Sequence, residues 1–192
     1  MLTQEEILEN KTKFIGLLSE LNIDITNLFK YLEAVDYFNQ PLTSTGQGAY
    51  AGGLCKYALA SFRELSQLIL AYCPNLYTKE DAIKVALLKD IFRAELYEPY
   101  IANVKNDQTG AWESVQAYRT KKEHPSFGDI GFSSYMIAKH FVPLTDDQIE
   151  AICLAPIKSL NGPDIHDVLR SYKLSTLTIM AEMAVRYISN WE

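Results

Sequence analysis

Apolar residues recur three and four positions apart along most of the chain, the spacing of one face of a helix. Ile7, Leu8, Phe14, Ile15, Leu18 and Leu21 form the first such set. Thr3 and Glu6 stand ahead of it as a capping box, in which the hydroxyl caps and the carboxylate reaches back. Asp24 is placed to open a second helix with Leu28, Phe29, Leu32, Val35 and Phe38 on its inner side. Pro41 ends this region, and the Ser-, Thr- and Gly-rich stretch from Thr43 to Gly53 predicts an ordered loop. A third helix is expected from about Leu54 to Tyr72, with Pro74 closing it.

Thr78 and Asp81 open a fourth helix, the aspartate favouring the positive end of its dipole. Ile83, Val85, Ala86, Leu87, Leu88, Ile91 and Phe92 make it apolar on most sides. Such a helix is buried on most sides and belongs at the centre of the domain. Lys89 and Asp90 fall inside that stretch and need partners. Tyr100 to Val104 and Trp112 to Tyr118 flank the turn signal Asn106-Asp107-Gln108-Thr109-Gly110, which predicts one hairpin. Pro125 to Gly131 reads as a loop. Helices are expected at Ser133 to Phe141, at Thr145 to Leu154 behind a second capping box, at Asp164 to Tyr172 and at Ser175 to Asn190, with a break at Pro156 to Pro163.

Composition narrows the class. A chain of 192 residues that is 48% hydrophobic and 22% charged can bury a full core, which argues against disorder. The formal charge of -6 gives no general attraction to nucleic acid or anionic membranes. Arg119, Lys121 and Lys122 are the one basic run, and such runs usually form solvated surface. Cys55, Cys73 and Cys153 are odd in number and show no CxxC spacing, as in a reducing compartment. The acidic N-terminus is unlike a signal peptide, and no apolar stretch is long enough to span a bilayer. A soluble protein made in a cytoplasm is expected.

Motif searches exclude more than they find. Gly46-Gln47-Gly48 and Gly52-Gly53 are not followed by the Lys-Ser/Thr of a phosphate loop and suit backbone turns. His124, His140 and His166 show no metal-ligand spacing. Twelve tyrosines, Tyr97, Tyr100, Tyr118 and Tyr135 among them, suit either an interface or a core.

One ordered set of segments does resemble a known family. Tyr37-Phe38-Asn39-Gln40-Pro41, then Gly48-Ala49-Tyr50-Ala51-Gly52-Gly53-Leu54, is similar to the opening of phage-type HD-domain phosphohydrolases, which read YF-x-x-P and HGAYEGGL. Ala86 to Arg93 resembles their ALLHDLCK segment. Asn103 to Lys105 with Trp112-Glu113 is similar to their hairpin, Phe141 to Asp147 to their LTDEE region, and Ala181-Glu182-Met183 to their LADM. The resemblance spans roughly Tyr37 to Ile188. It implies a mainly α fold: an HD-like helical bundle with one small β-hairpin insertion, residues 37–190 as its core and 1–36 as an N-terminal helical extension. It also implies a phage or prophage setting.

The departures from that family matter more than the matches. HD hydrolases hold one or two divalent metals with imidazoles and carboxylates, and the metal activates a water. The first ligand histidine of the family falls at Tyr57, and the histidine of the His-Asp pair falls at Lys89. The next falls near Asp129, the WH position near Ala155, the loop histidine at Gln47 and the terminal aspartate at Glu182. Asp90 alone is unchanged. The resemblance thus implies a pseudoenzyme with no metal or other cofactor.

Two readings of Asp90 stay open from sequence. It pairs with a basic neighbour, Lys89, Lys56 or Arg93, or Lys89 points away because adjacent helical residues face different directions. Three functions follow. The first is a non-catalytic structural or protein-interaction module, with a protein partner or self-association, in the host cytoplasm or in a phage particle. The second is a Mg²⁺-dependent nucleotide phosphohydrolase rebuilt on Asp90, Asp129 and Glu182. The third is a nucleotide sensor that meets phosphate with Lys56, Lys89 and Arg93.

Overall fold

The computed structural model describes residues 2–106, 108–124, 127–155 and 169–191. It is mostly helical, with one two-stranded antiparallel sheet. Helix α1 (Gln4–Ser19) starts at the Thr3–Glu6 capping box, whose two halves both form. Helix α2 (Thr26–Ala34) follows. Asp24 does not occupy its N-cap position, which is Ile25, but its carboxylate accepts from the Thr26 amide at 2.9 Å. A single 3₁₀ turn (Tyr37–Asn39) leads into the glycine loop.

In that loop Gly46, Gly48 and Gly52 all have positive φ, the conformation glycine adopts without strain. Gly53 begins α3 (Gly53–Tyr72) so close to the loop that a Cβ there would sit 2.3 Å from the Gly48 carbonyl oxygen. The glycines are thus explained by backbone turns and close approach. Helix α4 (Lys79–Leu88) opens on the Thr78–Asp81 box and is the buried centre expected from its sequence, every residue from Ala82 to Leu88 being buried. It packs against α1, α3, α6 (Ile130–Ala138) and α7 (Asp146–Leu154).

Two boundaries differ from the sequence expectation. The fourth helix stops at Leu88 rather than running through Phe92. Beyond it the chain tightens into three-residue turns, Ile91 to Leu88, Arg93 to Asp90 and Ala94 to Ile91, and then forms the short helix α5 (Arg93–Leu96). The sixth begins at Ile130, inside the expected loop, because Asp129 caps it by accepting from the Phe132 amide at 2.8 Å. Thr145 and Gln148 form the expected box on α7. The last helix, α8 (Lys173–Tyr187), begins two residues earlier and ends three earlier than expected. The expected break at Pro156 to Pro163 and most of the expected Asp164 helix lie outside the described residues.

The core is continuous across what sequence divides into an extension and a body. Phe14, Leu18, Leu28 and Leu32 join the same buried cluster as Leu54, Leu65, Ile83 and Leu87. Phe14 meets the rings of Tyr37 and Phe38 at 5.1 and 5.7 Å. The hairpin is the exception to this burial. Strands β1 (Tyr97–Lys105) and β2 (Trp112–Thr120) pair from Tyr97↔Thr120 to Lys105↔Trp112, longer than their apolar runs, and pack chiefly on each other. Among the described residues no helix is long and apolar enough to cross a membrane.

Candidate functional site

The polar residues inside the apolar fourth segment form a buried charged cluster. Lys89 and Asp90 expose only 2% and 5% of their surfaces, and Arg93 8%. The end of α4 at Leu88 makes this geometry accessible. Lys89 and Asp90 are sequence neighbours, and on a continuing helix they would diverge. At the turn, the Lys89 ammonium instead donates to Asp90 Oδ2. Arg93 Nε donates to the other oxygen, Oδ1, at 2.5 Å. Arg93 also reaches the Leu42 carbonyl at 3.4 Å, tying α5 to the mouth of the glycine loop.

Helices α3 and α8 close the cluster from the other side. Tyr57 of α3 is fully buried and places its ring 4.6 Å from the Lys89 Nζ. The Arg186 guanidinium of α8 lies 5.1 Å from the same ring. Arg186 Nε also donates to Glu182 Oε1 at 2.9 Å, one helical turn back. Trp191 packs its ring edgewise on Tyr57, at 5.3 Å. Three cationic side chains therefore surround two carboxylates and one phenol.

The electrostatics follow from burial opposed by pairing. Burial alone would raise the Asp90 pKa, but the charges of Lys89 and Arg93 and their hydrogen bonds hold it far below the usual carboxylate range. Burial pulls the Lys89 pKa down, and the Asp90 carboxylate, then Tyr57 and Glu182, outweigh it and raise the pKa overall. Burial, only partly opposed by Lys89, pushes the Tyr57 phenol up to about 12. At neutral pH Lys89 is thus an ammonium, Asp90 a carboxylate and Tyr57 a neutral phenol.

Not every residue singled out from sequence joins this cluster. Asp129 is exposed and serves as the cap of α6, so the three carboxylates of a rebuilt site do not meet. Lys56 is only half-buried and lies near Glu6 of α1, whose pKa is lowered chiefly by hydrogen bonds from Thr3 and in part by Lys56. Ala155 is buried at the end of α7, and Gln47 is exposed in the glycine loop. His124 stacks edgewise near Phe92 at 6.1 Å, and His140 is exposed. His166 lies outside the described residues. No group of three or more His, Cys, Asp or Glu side chains suited to a metal occurs among the described residues.

Sequence reading missed two members of the cluster. Arg186 carried a signal, its i,i+4 spacing from Glu182, which favours an ion pair on one helix face. Trp191 carried none, since it lies beyond α8 and reaches Tyr57 only through the packing of α8 on α3. A cleft of about 510 Å³ lies elsewhere, at the base of the hairpin, lined by Val35, Asp36, Glu95, Tyr97, Lys121 and His124 among others.

No family model, curated protein or solved structure matches the chain.

Proposed function

We propose that this chain is a non-catalytic HD-like protein that works as a structural or protein-interaction module, in a phage-infected cell or in the phage particle. The observation that carries this reading is the Lys89 ammonium seated on Asp90, the one residue that retains the identity expected of an HD ligand. A protonated amine offers donors and no lone pair, so it cannot ligate a cation. It also neutralises the carboxylate that would hold one. Arg93 takes the second oxygen of that carboxylate. A divalent ion at Asp90 would have to displace two hydrogen-bonded cations from a site shielded from water. Mg²⁺ takes six oxygen ligands in near-octahedral geometry, and Asp129, the third carboxylate of a rebuilt site, is elsewhere.

The same pairing weighs against a phosphate sensor at this place, because the charges of Lys89 and Arg93 are already matched by the Asp90 carboxylate between them. A fold of this kind remains useful as a scaffold once its ligands are replaced. Titration of the purified protein with Mg²⁺ and with Mn²⁺, read by thermal shift and by phosphate release from nucleotides, tests the reading. Flat Tm and no phosphate release are expected. A saturable rise in Tm with metal, together with turnover, would overturn it.

A further inference from the structure

The hairpin is a two-stranded ribbon whose outer edges have no strand neighbours among the described residues. Two-stranded ribbons are marginal in water on their own, and an open edge presents a row of unpaired amides and carbonyls. The two edges differ. β1 contains Pro99, which has no amide to donate, whereas β2 runs nine residues without a proline. Apolar groups also stay in water on both faces. Tyr100, Val104 and Val115 share one face and are 39%, 49% and 38% exposed, while Ile101 and Trp112 on the other are 69% and 71% exposed. Apolar groups exposed together in this way mark an interaction surface.

We propose that β2 pairs with β2 of a second copy of this chain, antiparallel about Gln116, to give a continuous four-stranded sheet. Charge complementarity selects this occupant. Antiparallel pairing about Gln116 is the register that matches all nine β2 residues to one another. It sets Glu113 opposite the second copy's Arg119, and by two-fold symmetry does so twice. It also sets Val115 opposite Ala117, joining the exposed apolar stripes of the two ribbons into one face. Within its own ribbon Glu113 faces the uncharged Val104 and accepts from the Asn106 side-chain amide at 2.7 Å. Arg119, bonded to Glu98 at 2.7 Å, would then lie between two carboxylates. Directly opposed charges of this kind stabilise a sheet and fix its register.

This proposal names a partner for the interaction-module reading and rests on that reading only for its biological role. Sedimentation velocity on the full chain tests it. The wild type is expected to be dimeric at micromolar concentration. Glu113→Arg and Arg119→Glu each place like charges opposite one another and are expected to weaken the dimer about tenfold or more. Mixing the two variants puts opposite charges at both sites again, so the mixture is expected to dimerise while each variant alone does not. Far-UV circular dichroism matching the wild type separates this result from failure to fold. A monomeric wild type, variants that dimerise as the wild type does, or a mixture that stays monomeric would each overturn the proposal. A monomer would leave the buried cluster's reading standing, whereas a metal bound at Asp90 would remove that reading and leave the dimer.

Discussion

The turn after α4 and the hairpin arm treat polar and apolar groups in opposite ways. At the turn, charges are taken out of water and each is held by a partner. Along the hairpin, large apolar side chains stay in water with little of the protein covering them. The first arrangement is costly to disturb because an unpaired charge would remain in a medium that cannot solvate it. The second is cheap to disturb because little of the fold leans on it. The cluster pairs its charges internally, although Glu182 Oε2 and Trp191 Nε1 are buried with no hydrogen-bond partner among the described residues, whereas the outer edge of β2 has no strand neighbour among them. The turn thus concentrates paired charge in the interior, and the arm concentrates apolar surface in water.

Breaking this contrast should produce effects of graded size. Asp90→Asn leaves Lys89 and Arg93 buried without their carboxylate and should cost about 3–5 kcal/mol in urea unfolding. Combining it with Lys89→Met should return part of that loss, because one stranded cation goes with it. The same aspartate should dominate the acid limb of stability. Its folded pKa lies below its unfolded value near 3.8, so its contribution is present above that pH and is lost as pH falls through the depressed folded value. A pH series of unfolding midpoints should show this slope in the wild type and not in Asp90→Asn. At the alkaline end the signs reverse. The Tyr57 pKa is raised from 10.0 to about 12 and that of Lys89 is raised above 10.5, so their contributions hold below pH 10 and fade as pH rises beyond it.

Lys89→Met alone leaves Arg93 on Asp90 and should cost less, about 1–3 kcal/mol, by the same unfolding measurement. Trp112→Ala, at the exposed tip of the ribbon, should change monomer stability by less than about 0.5 kcal/mol. A large loss from that last change would mean that the arm supports the helical body, and the contrast would fail.

The helical body was readable from sequence where the signal is local. The capping boxes at Thr3 and Thr145 mark helix starts because both their donors and acceptors lie within one turn, and Thr78 with Asp81, legible as a helix opening and a dipole contact, forms a third box in the structure. The all-round apolar pattern of α4 correctly placed it at the centre. The end of α4 was not readable, because the Asp90–Arg93 spacing suits a continuing helix equally well, and the Phe92 amide turns instead to the distant Ser134 hydroxyl at 3.3 Å. Asp129 was weighed as a ligand when its local job was a helix cap, a role that aspartate fills well at such positions. Of the cluster, Lys89, Asp90, Arg93, Tyr57 and Glu182 were all named from sequence. Arg186 was hidden in a spacing not used, and Trp191 in a packing contact between distant elements.

The proposed function requires the Lys89 ammonium to occupy the place of a metal cation beside Asp90. Elemental analysis of the protein, purified without chelator and dialysed against Mn²⁺ and then against metal-free buffer, tests it most directly. Far less than one metal ion per chain is expected, unchanged by Asp90→Asn. One tightly retained ion per chain that disappears in Asp90→Asn would contradict it.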